Sequence, residues 1–142
     1  MLRRLTAAIL LLFLAPAAVA TTILVHKTPW CGCCAQWIKH LRASGFTVTV
    51  QEHQDLAPVA KQLGIPDALR SCHSAKVGGY AIEGHLRAGD IKRLLASKPR
   101  AAGLAVPGMP LGSPGMEQGG AKQPYSTMIF DRSGKARVFA RH

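Results

Sequence analysis

The sequence lacks several motifs that would mark familiar enzyme classes. It contains only seven Asp and Glu residues. No paired carboxylates, no phosphate-binding loop and no hydrolytic triad can be recognised in it. Glu83 and Glu117 each stand alone, and we expect them to cap a backbone segment or to lie on the surface. The sequence therefore gives no support to carboxylate-based hydrolysis or to nucleotide-phosphate binding.

Positive charge is plentiful, but it is not concentrated. Eighteen Lys and Arg give the chain a formal net charge of +11. Such a charge is compatible with nucleic-acid binding, yet the cations form no compact run and no aromatic residues are interleaved with them. We therefore expect a solvated basic surface and no nucleic-acid partner. The dispersed cations are Lys61, Arg70, Lys76, Arg87, Lys92, Arg93, Arg100, Arg132 and Arg137.

The chain also has no apolar run of membrane-spanning length. Arg3 and Arg4 precede a ten-residue segment at 5–14 that is apolar except for Thr6, followed by Pro16 and a small-residue site at 18–20. A spanning helix needs about 20 residues, so this segment is typical of a cleaved secretory signal peptide. The sequence predicts a signal peptide at 1–20 and a single exported domain at 21–142, located in the periplasm, with no membrane anchor after cleavage.

The first part of the exported domain, residues 21–98, alternates strand and helix patterns. A β-branched apolar run and then helical spacing predict a strand followed by a helix, and the same order repeats before a Gly-Gly hairpin and a third helix. Asp90 is the expected cap of that third helix. The predicted elements are a strand at 22–27, a helix from Cys34 to Gly45, a strand at 46–51, a helix after Asp55, two strands flanking Gly78-Gly79, and a helix from Asp90 to Pro99.

Residues 99–142 break this pattern. The stretch 103–120 contains six glycines and three prolines, and it repeats the tripeptide Pro-Gly-Met at 107–109 and 114–116. Such a composition predicts neither a helix nor a central strand. Its apolar side chains favour an ordered loop, folded over some other part of the molecule, over a flexible linker. Two short apolar runs on either side of residues 131–134 predict a closing β-hairpin.

Three of the four cysteines fall within four positions, at the predicted junction of the first strand and the first helix. Cys31 and Cys34 have the CxxC spacing of reactive thiols, which a helix N-terminus stabilises as thiolates. Cys33 is additional to such a pair, and an extra thiol invites wrong disulfides in an oxidising compartment. Adjacent residues on a helix diverge by about 100°, so Cys33 and Cys34 suit bridging between several metal ions.

The charge of four thiolates favours the same interpretation. Four thiolates around one monovalent ion leave a charge of about −3, which is costly away from water, whereas several Cu(I) ions sharing bridging sulfurs neutralise it. Structural zinc sites usually combine two CxxC pairs, and this chain has one. The donor types therefore favour copper, with His73, Met109 and Met116 as candidate ligands beside Cys31, Cys33, Cys34 and Cys72.

The motifs resemble two protein families. TPWCGCC, at 28–34, is similar to the opening of glutaredoxins, and with the element order it predicts an α/β, thioredoxin-like fold with a glutaredoxin-sized β-α-β-α-β-β-α core. CGCC, then Cys72-His73, GYAIEGH and GLAVPGMPLGSPGME resemble CopG-type periplasmic copper-resistance and metal-binding proteins, also described as a domain of unknown function. This resemblance runs from about residue 22 to 139. It implies copper binding through the four cysteines, with redox handling of the metal.

The remaining side chains receive less specific roles. Ordinary thioredoxin-like enzymes have a cis-proline just before the third strand. In this sequence Cys72 stands at that place. His85 is expected to bond backbone at the end of its strand, and both Trp30 and Trp37 to shield and pack. The partners expected are copper ions and periplasmic copper-efflux or copper-chaperone proteins.

Two other functions remain open on these residues. One is thiol-disulfide exchange with Cys31 as the nucleophile and Cys34 as the resolving thiol, in which Cys33 and Cys72 are incidental. The other is an inert exported domain held by two structural disulfides. A metal cluster needs Cys33 and Cys72, whereas an exchange enzyme does not.

Overall fold

The computed structural model describes residues 21–142, so the predicted signal peptide lies outside the described residues. These residues form a mixed α/β fold with one seven-stranded sheet and three α-helices. The strands are β1 (Thr22–Lys27), β2 (Thr47–Glu52), β3 (Ser74–Val77), β4 (Tyr80–Glu83), β5 (Gly103–Ala105), β6 (Ser126–Phe130) and β7 (Ala136–Arg141). The helices are α1 (Gly32–Ala43), α2 (Ala57–Gln62) and α3 (Ala88–Ser97), with a 3-10 helix at Asp67–Leu69.

The sheet has the strand order β2-β1-β3-β4-β5-β6-β7. β1 runs parallel to β2 and antiparallel to β3, and β3 and β4 form the hairpin expected around Gly78-Gly79. The predicted order of elements through α3 is therefore observed, as is the closing hairpin of β6 and β7.

Successive residues of the strands face two different apolar clusters. Ile82 and Leu104 belong to the larger cluster, which also contains the buried side chains of α1 and α3. Ala81 and Ala105, their chain neighbours, belong to a smaller cluster with Ala60 of α2. The period-two alternation of strands thus places helices on both faces of the sheet.

The glycine- and proline-rich stretch contains a strand, contrary to the prediction that it holds no central strand. β5 lies between β4, to which it is parallel, and β6, to which it is antiparallel. Gly103 makes this possible, because a Cβ there would collide with the Ala81 carbonyl and lie 2.9 Å from the Phe130 ring. The strand is only three residues long, too short for an apolar pattern to be recognised among glycines.

Asp90 is not the cap of α3. The helix begins earlier, and the residue at its N-cap is Arg87, whose side chain makes no capping hydrogen bond. Asp90 lies in the first turn with its side chain buried, where it accepts hydrogen bonds from Thr127 at 2.6 Å and His142 at 2.8 Å. The Asp90 carboxylate therefore joins α3 to the C-terminal hairpin instead of capping the helix.

None of the helices among the described residues is long and apolar enough to span a bilayer.

Replacing Gly103 by Ala tests the sheet position of β5. We expect the free energy of unfolding in urea to fall by about 2 kcal/mol, because the new methyl group overlaps the neighbouring strand. Gly89→Ala is the matched control: Gly89 lies in α3 with no atom near the position of an added Cβ. This control should be neutral or stabilising by about 0.5–1 kcal/mol. Equal effects of the two substitutions would contradict the placement of β5.

Candidate metal centre

Three cysteines occupy the first turn of α1. Cys31 is the N-cap residue of the helix, and its sulfur accepts a hydrogen bond from the backbone N–H of Cys34 at 3.3 Å. The sulfurs of Cys31 and Cys34 form a disulfide, while Cys33 and Cys72 are free. The helix turn brings residues three apart onto one side, so Cys31 and Cys34 meet, whereas Cys33 stays outside their disulfide.

The fourth cysteine joins this group through the sheet. Cys72 precedes β3, and β3 lies beside β1, whose end leads into the cysteine turn. The Cys72 sulfur is 3.8 Å from that of Cys33 and 3.7 Å from that of Cys34, and Cys33 is 3.5 Å from Cys31. All four sulfurs lie within 4.8 Å of one another. The four cysteines that the sequence selected are thus brought together.

Two imidazoles complete the cluster on the side of Cys72. The Cys72 sulfur lies 3.3 Å from Nδ1 of His73 and 3.1 Å from Nε2 of His85. The other ring nitrogen of each histidine donates to a backbone carbonyl, His73 to Gly84 at 2.9 Å and His85 to Pro114 at 2.8 Å. Because these bonds place the ring proton away from the cysteine, each neutral imidazole directs its lone pair at Cys72.

The protonation of these groups follows from their burial. Burial, and then the neighbouring His85, lower the pKa of His73 to about 3. Burial also lowers the pKa of His85. Burial, and then the nearby Cys33, raise the pKa of Cys72 to about 12. At neutral pH the two imidazoles are therefore uncharged, and the Cys72 thiol keeps its proton unless a cation replaces it.

The second Pro-Gly-Met tripeptide covers the cysteine turn. Gly115 has a φ of +88°, and a Cβ there would lie 2.8 Å from the carbonyl oxygen of Cys33 and 2.9 Å from the backbone nitrogen of Trp37. Glycine is thus required both by the backbone conformation and by the close approach. The predicted ordered loop is folded over the start of α1.

The two methionines of the repeat differ in exposure. Met116 follows Gly115 and is buried. Met109 is 48% exposed and borders a surface cavity with Pro107, Gln123 and Met128. Their roles as ligands stay predictions.

Glu83 is not a surface residue; of the two roles expected for it, it has the one of binding a backbone N–H. Its carboxylate is fully buried and accepts hydrogen bonds from the Ser71 backbone N–H at 2.7 Å, the Ser74 hydroxyl at 2.5 Å and the Arg70 guanidinium at 3.2 Å. Burial raises the pKa of Glu83, against the lowering effect of these donors. The carboxylate thus holds the segment from Arg70 to Ser74, which carries Cys72, by three hydrogen bonds.

The two tryptophans, Trp30 and Trp37, also differ in solvent exposure. Trp37 is buried as expected, stacks on His73 with ring centroids 4.3 Å apart, and donates its indole N–H to the Leu86 carbonyl. Trp30 is 68% exposed, so the expectation that it packs is wrong. Its position directly before Cys31 leaves a large apolar side chain on the surface beside the cysteine turn.

His85 is the residue whose place in the cluster the sequence interpretation underestimated. A signal for it was available. A two-residue turn at Gly78-Gly79 pairs Ser74 with Glu83, and the same register continued outward places Cys72 opposite His85. Counting outward from the turn would therefore have brought His85 to the sulfur of Cys72.

The donor set suits a soft metal ion. Sulfur and neutral imidazole nitrogen are donors that such ions prefer, and here they converge with their lone pairs turned inward. Histidines whose second nitrogen is fixed by a carbonyl are typical of metal ligands. The arrangement can also perform thiol-disulfide chemistry, because a disulfide and two further sulfurs lie within 3.5–3.8 Å.

Comparison with known proteins agrees with these motifs. A family model described as a protein of unknown function, DUF411, matches residues 69–116, which include Cys72, His73 and His85. Two solved structures of copper resistance protein CopG, forms 1 and 2, are each 44% identical to this chain, with a TM-score of 0.83. Each match covers 87% of this chain, and 98% of form 1 or 99% of form 2. No curated protein sequence matches.

An identity of 44% over nearly the whole described part of the chain is far above the level at which only a fold is shared. With the high structural similarity, an identity at this level shows that this chain belongs to the family of the copper resistance protein CopG.

Proposed function

We propose that this protein binds copper as Cu(I), with more than one ion held by the thiolates of Cys31, Cys33, Cys34 and Cys72, and that it serves copper resistance. The observation that carries this proposal is the convergence of all four sulfurs within 4.8 Å. The relatives named as copper resistance proteins support copper as the cargo.

The distances between the sulfurs support shared ions. A metal–sulfur distance of about 2.3 Å and a tetrahedral angle place two sulfurs on one ion about 3.8 Å apart. The separations of Cys72 from Cys33 and Cys34 are 3.8 and 3.7 Å. Only small movements of these side chains are needed for them to share an ion.

The electrostatics support several ions rather than one. Each thiolate adds a negative charge to a partly buried site, and the raised pKa of Cys72 expresses the cost of that charge. Four thiolates with one Cu(I) ion would leave a charge of about −3, whereas each further ion removes one unit. Neutral imidazoles add donor atoms without adding charge.

His73 and His85 extend the proposed ligand set at Cys72. Their lone pairs face the sulfur, and their carbonyl partners keep them in that orientation. With Cys72 they form a second group of three donors within 4.8 Å of one another. The copper ion bound by Cys72 is therefore the one that these imidazoles would contact.

Met109 and Met116 remain in the proposed set as thioether donors. Support comes from the backbone around them: Gly108, before Met109, bonds Arg70 and Ser71 next to Cys72. Gly115, before Met116, lies against Cys33. Both tripeptides thus approach the cysteine cluster from the loop.

Binding of Cu(I) by all four thiolates requires two electrons from an external thiol reductant to break the Cys31–Cys34 S–S bond. If this reduction forms two thiols, the two protons that it takes up are released again when the thiolates bind the metal. The chain therefore has a redox step linked to its metal capacity, and we propose that it takes part in the redox handling of copper. The disulfide at the N-terminus of α1 and the β2-β1-β3-β4 order support the proposed thioredoxin-like assignment.

The predicted signal peptide at 1–20 supports export, so the proposed location is the periplasm, with copper-efflux or copper-chaperone proteins as proposed partners.

Thiol-disulfide exchange is the second candidate function. The Cys31–Cys34 disulfide, with Cys31 at the helix N-cap, favours it. The two functions make different demands on Cys33 and Cys72, and a single titration separates them.

Replacement of Cys33 by Ser should reduce the copper content. We expect reduced residues 21–142 to bind more than one Cu(I) per chain under anaerobic conditions, and Cys33→Ser and Cys72→Ser each to bind at least one ion fewer, because a bridging sulfur is lost. The free energy of unfolding of the metal-free variants should stay near that of the wild type. Absence of tight copper binding in the wild type, with a reversible Cys31–Cys34 disulfide, would favour exchange.

His85→Gln should weaken copper binding at the Cys72 side. We expect at least about a tenfold loss of affinity for the weakest-bound ion in competition with a Cu(I) chelator, because loss of even a residue that only orients a metal ligand typically costs about 10–100-fold. His53→Gln is the matched control, since His53 contacts His26 and none of the cysteines. Equal affinity in the two variants would remove His85 from the ligand set.

The pH dependence of copper affinity should show no histidine step. Protons compete with metal for an imidazole only near or below its pKa, and that of His73 is lowered to about 3. The logarithm of the affinity should therefore rise steadily between about pH 5.5 and 7.5, driven by thiol deprotonation, without steepening below the usual histidine pKa of about 6.5. A steeper slope below that pH would mean that the ligating imidazoles are solvated.

A further inference from the structure

Three consecutive residues at the end of β4, Glu83 to His85, each contact the segment around Cys72. The backbone N–H of Gly84 donates to the carbonyl of His73 at 3.0 Å, and the Gly84 carbonyl accepts from the His73 ring. His85 faces the Cys72 sulfur. Glu83 completes this set, since it bonds the residues on either side of the Cys72-His73 pair.

The carboxylate of Glu83 spans that pair. One oxygen accepts from the Ser71 backbone N–H at 2.7 Å, and the other accepts from the Ser74 hydroxyl at 2.5 Å. Because Ser74 is paired with Glu83 in the sheet, the Cα positions of both are fixed. The length of the Glu83 side chain therefore determines where Ser71, and with it Cys72, lies.

The same carboxylate also reaches the first Pro-Gly-Met tripeptide through its neighbours. Arg70 donates to Glu83, while its carbonyl accepts from the Gly108 N–H at 3.1 Å. The Ser71 hydroxyl donates to the Gly108 carbonyl. Arg70 and Ser71 are thus held between Glu83 on one side and Gly108 on the other.

We propose that Glu83 is a positioning residue that sets the location of the Cys72 sulfur relative to the other three sulfurs, and that it acts through the reach of its side chain. Its charge has the smaller role, because the Arg70 side chain that pairs with it is 26% exposed and screened by solvent. The proposal concerns the geometry of the cysteine cluster, and only its copper readout rests on the proposed function.

Two substitutions separate reach from charge. Glu83→Asp keeps the carboxylate but withdraws it by one C–C bond, about 1.5 Å, so it cannot hold hydrogen bonds to both Ser71 and Ser74. Glu83→Gln removes the charge but keeps the length, with its oxygen accepting from Ser71 and its amide donating to the Ser74 hydroxyl. Asp90→Asn is the matched control, a second buried carboxylate whose partners are Thr127 and His142.

The first readout is the rate of alkylation of Cys72 by iodoacetamide in metal-free residues 21–142 with the Cys31–Cys34 disulfide intact, followed by peptide mass spectrometry. We expect Glu83→Asp to raise this rate at least about tenfold, because reactivity follows access to the thiol. Glu83→Gln and Asp90→Asn should stay within about twofold of the wild type. Anaerobic Cu(I) titration should show fewer ions per chain for Glu83→Asp alone.

The outcomes are distinct. Unchanged alkylation in a folded Glu83→Asp, or a raised rate in Glu83→Gln, would overturn the positioning role by reach. Should Glu83→Asp fail to fold, Ser74→Ala removes one of the two bonds and must still raise the rate, or the proposal is wrong. A wild type that binds no copper would end the proposed function, while the alkylation rates would still decide the role of Glu83.

Discussion

The pairing of β3 with β4 across the Gly78-Gly79 turn is the constraint on which the site depends. A two-residue turn allows one register, and that register sets Ser74 opposite Glu83. Beyond the last paired residues, the same alignment brings His85 to Cys72. A slip of one residue would turn every one of these side chains to the other face of the sheet. The hairpin therefore acts as the template for one half of the cluster.

The other half comes from the first turn of α1. Cys31, Cys33 and Cys34 share a short segment, and the N-cap, the first turn of the helix and the Cys31–Cys34 disulfide set their relative positions. The two halves meet because β1, which leads into the cysteine turn, is paired with β3. Backbone carbonyls then orient the imidazoles, and the second Pro-Gly-Met tripeptide, at 114–116, covers the start of the helix. Main-chain groups thus orient the imidazoles and cover the helix start, while the Glu83 carboxylate holds the residues on either side of Cys72 and His73.

Much of this arrangement could be predicted because local signals carried it. Cysteine spacing, the Gly-Gly turn and the helical apolar pattern each involve a few adjacent residues, and they placed Cys31, Cys33 and Cys34 correctly at the junction of β1 and α1. The approach of Cys72 to this junction was expected from the resemblance to known folds, not from a local signal. Short elements and tertiary roles were harder. β5 is three residues long and was hidden among glycines, and Asp90 looked like a cap although its partners lie in the distant C-terminal hairpin.

Glu83 and Trp30 show a related difficulty. An isolated glutamate is usually solvated, and the residues next to Glu83 in the sequence do not indicate that three hydrogen-bond donors surround its carboxylate. A tryptophan is usually packed, and its exposure here depends on what the rest of the chain leaves uncovered. Both are properties of the assembled molecule. The hairpin register could have indicated that Glu83 lies near Ser74, but not that its carboxylate is fully enclosed.

The covering of the cysteine turn by residues 114–116 affects how the protein folds, because it joins parts of the chain that are far apart in sequence. Sequence separations of 39 residues between Cys33 and Cys72, and of 29 between His85 and Pro114, make the cluster a product of non-local contacts. Such contacts form slowly because loop-closure entropy must be overcome before they contribute. The neighbouring thiols are therefore synthesised early and enclosed late. For part of every folding event they are open to oxidants, and the speed of chain closure becomes a determinant of how much correctly paired protein is made.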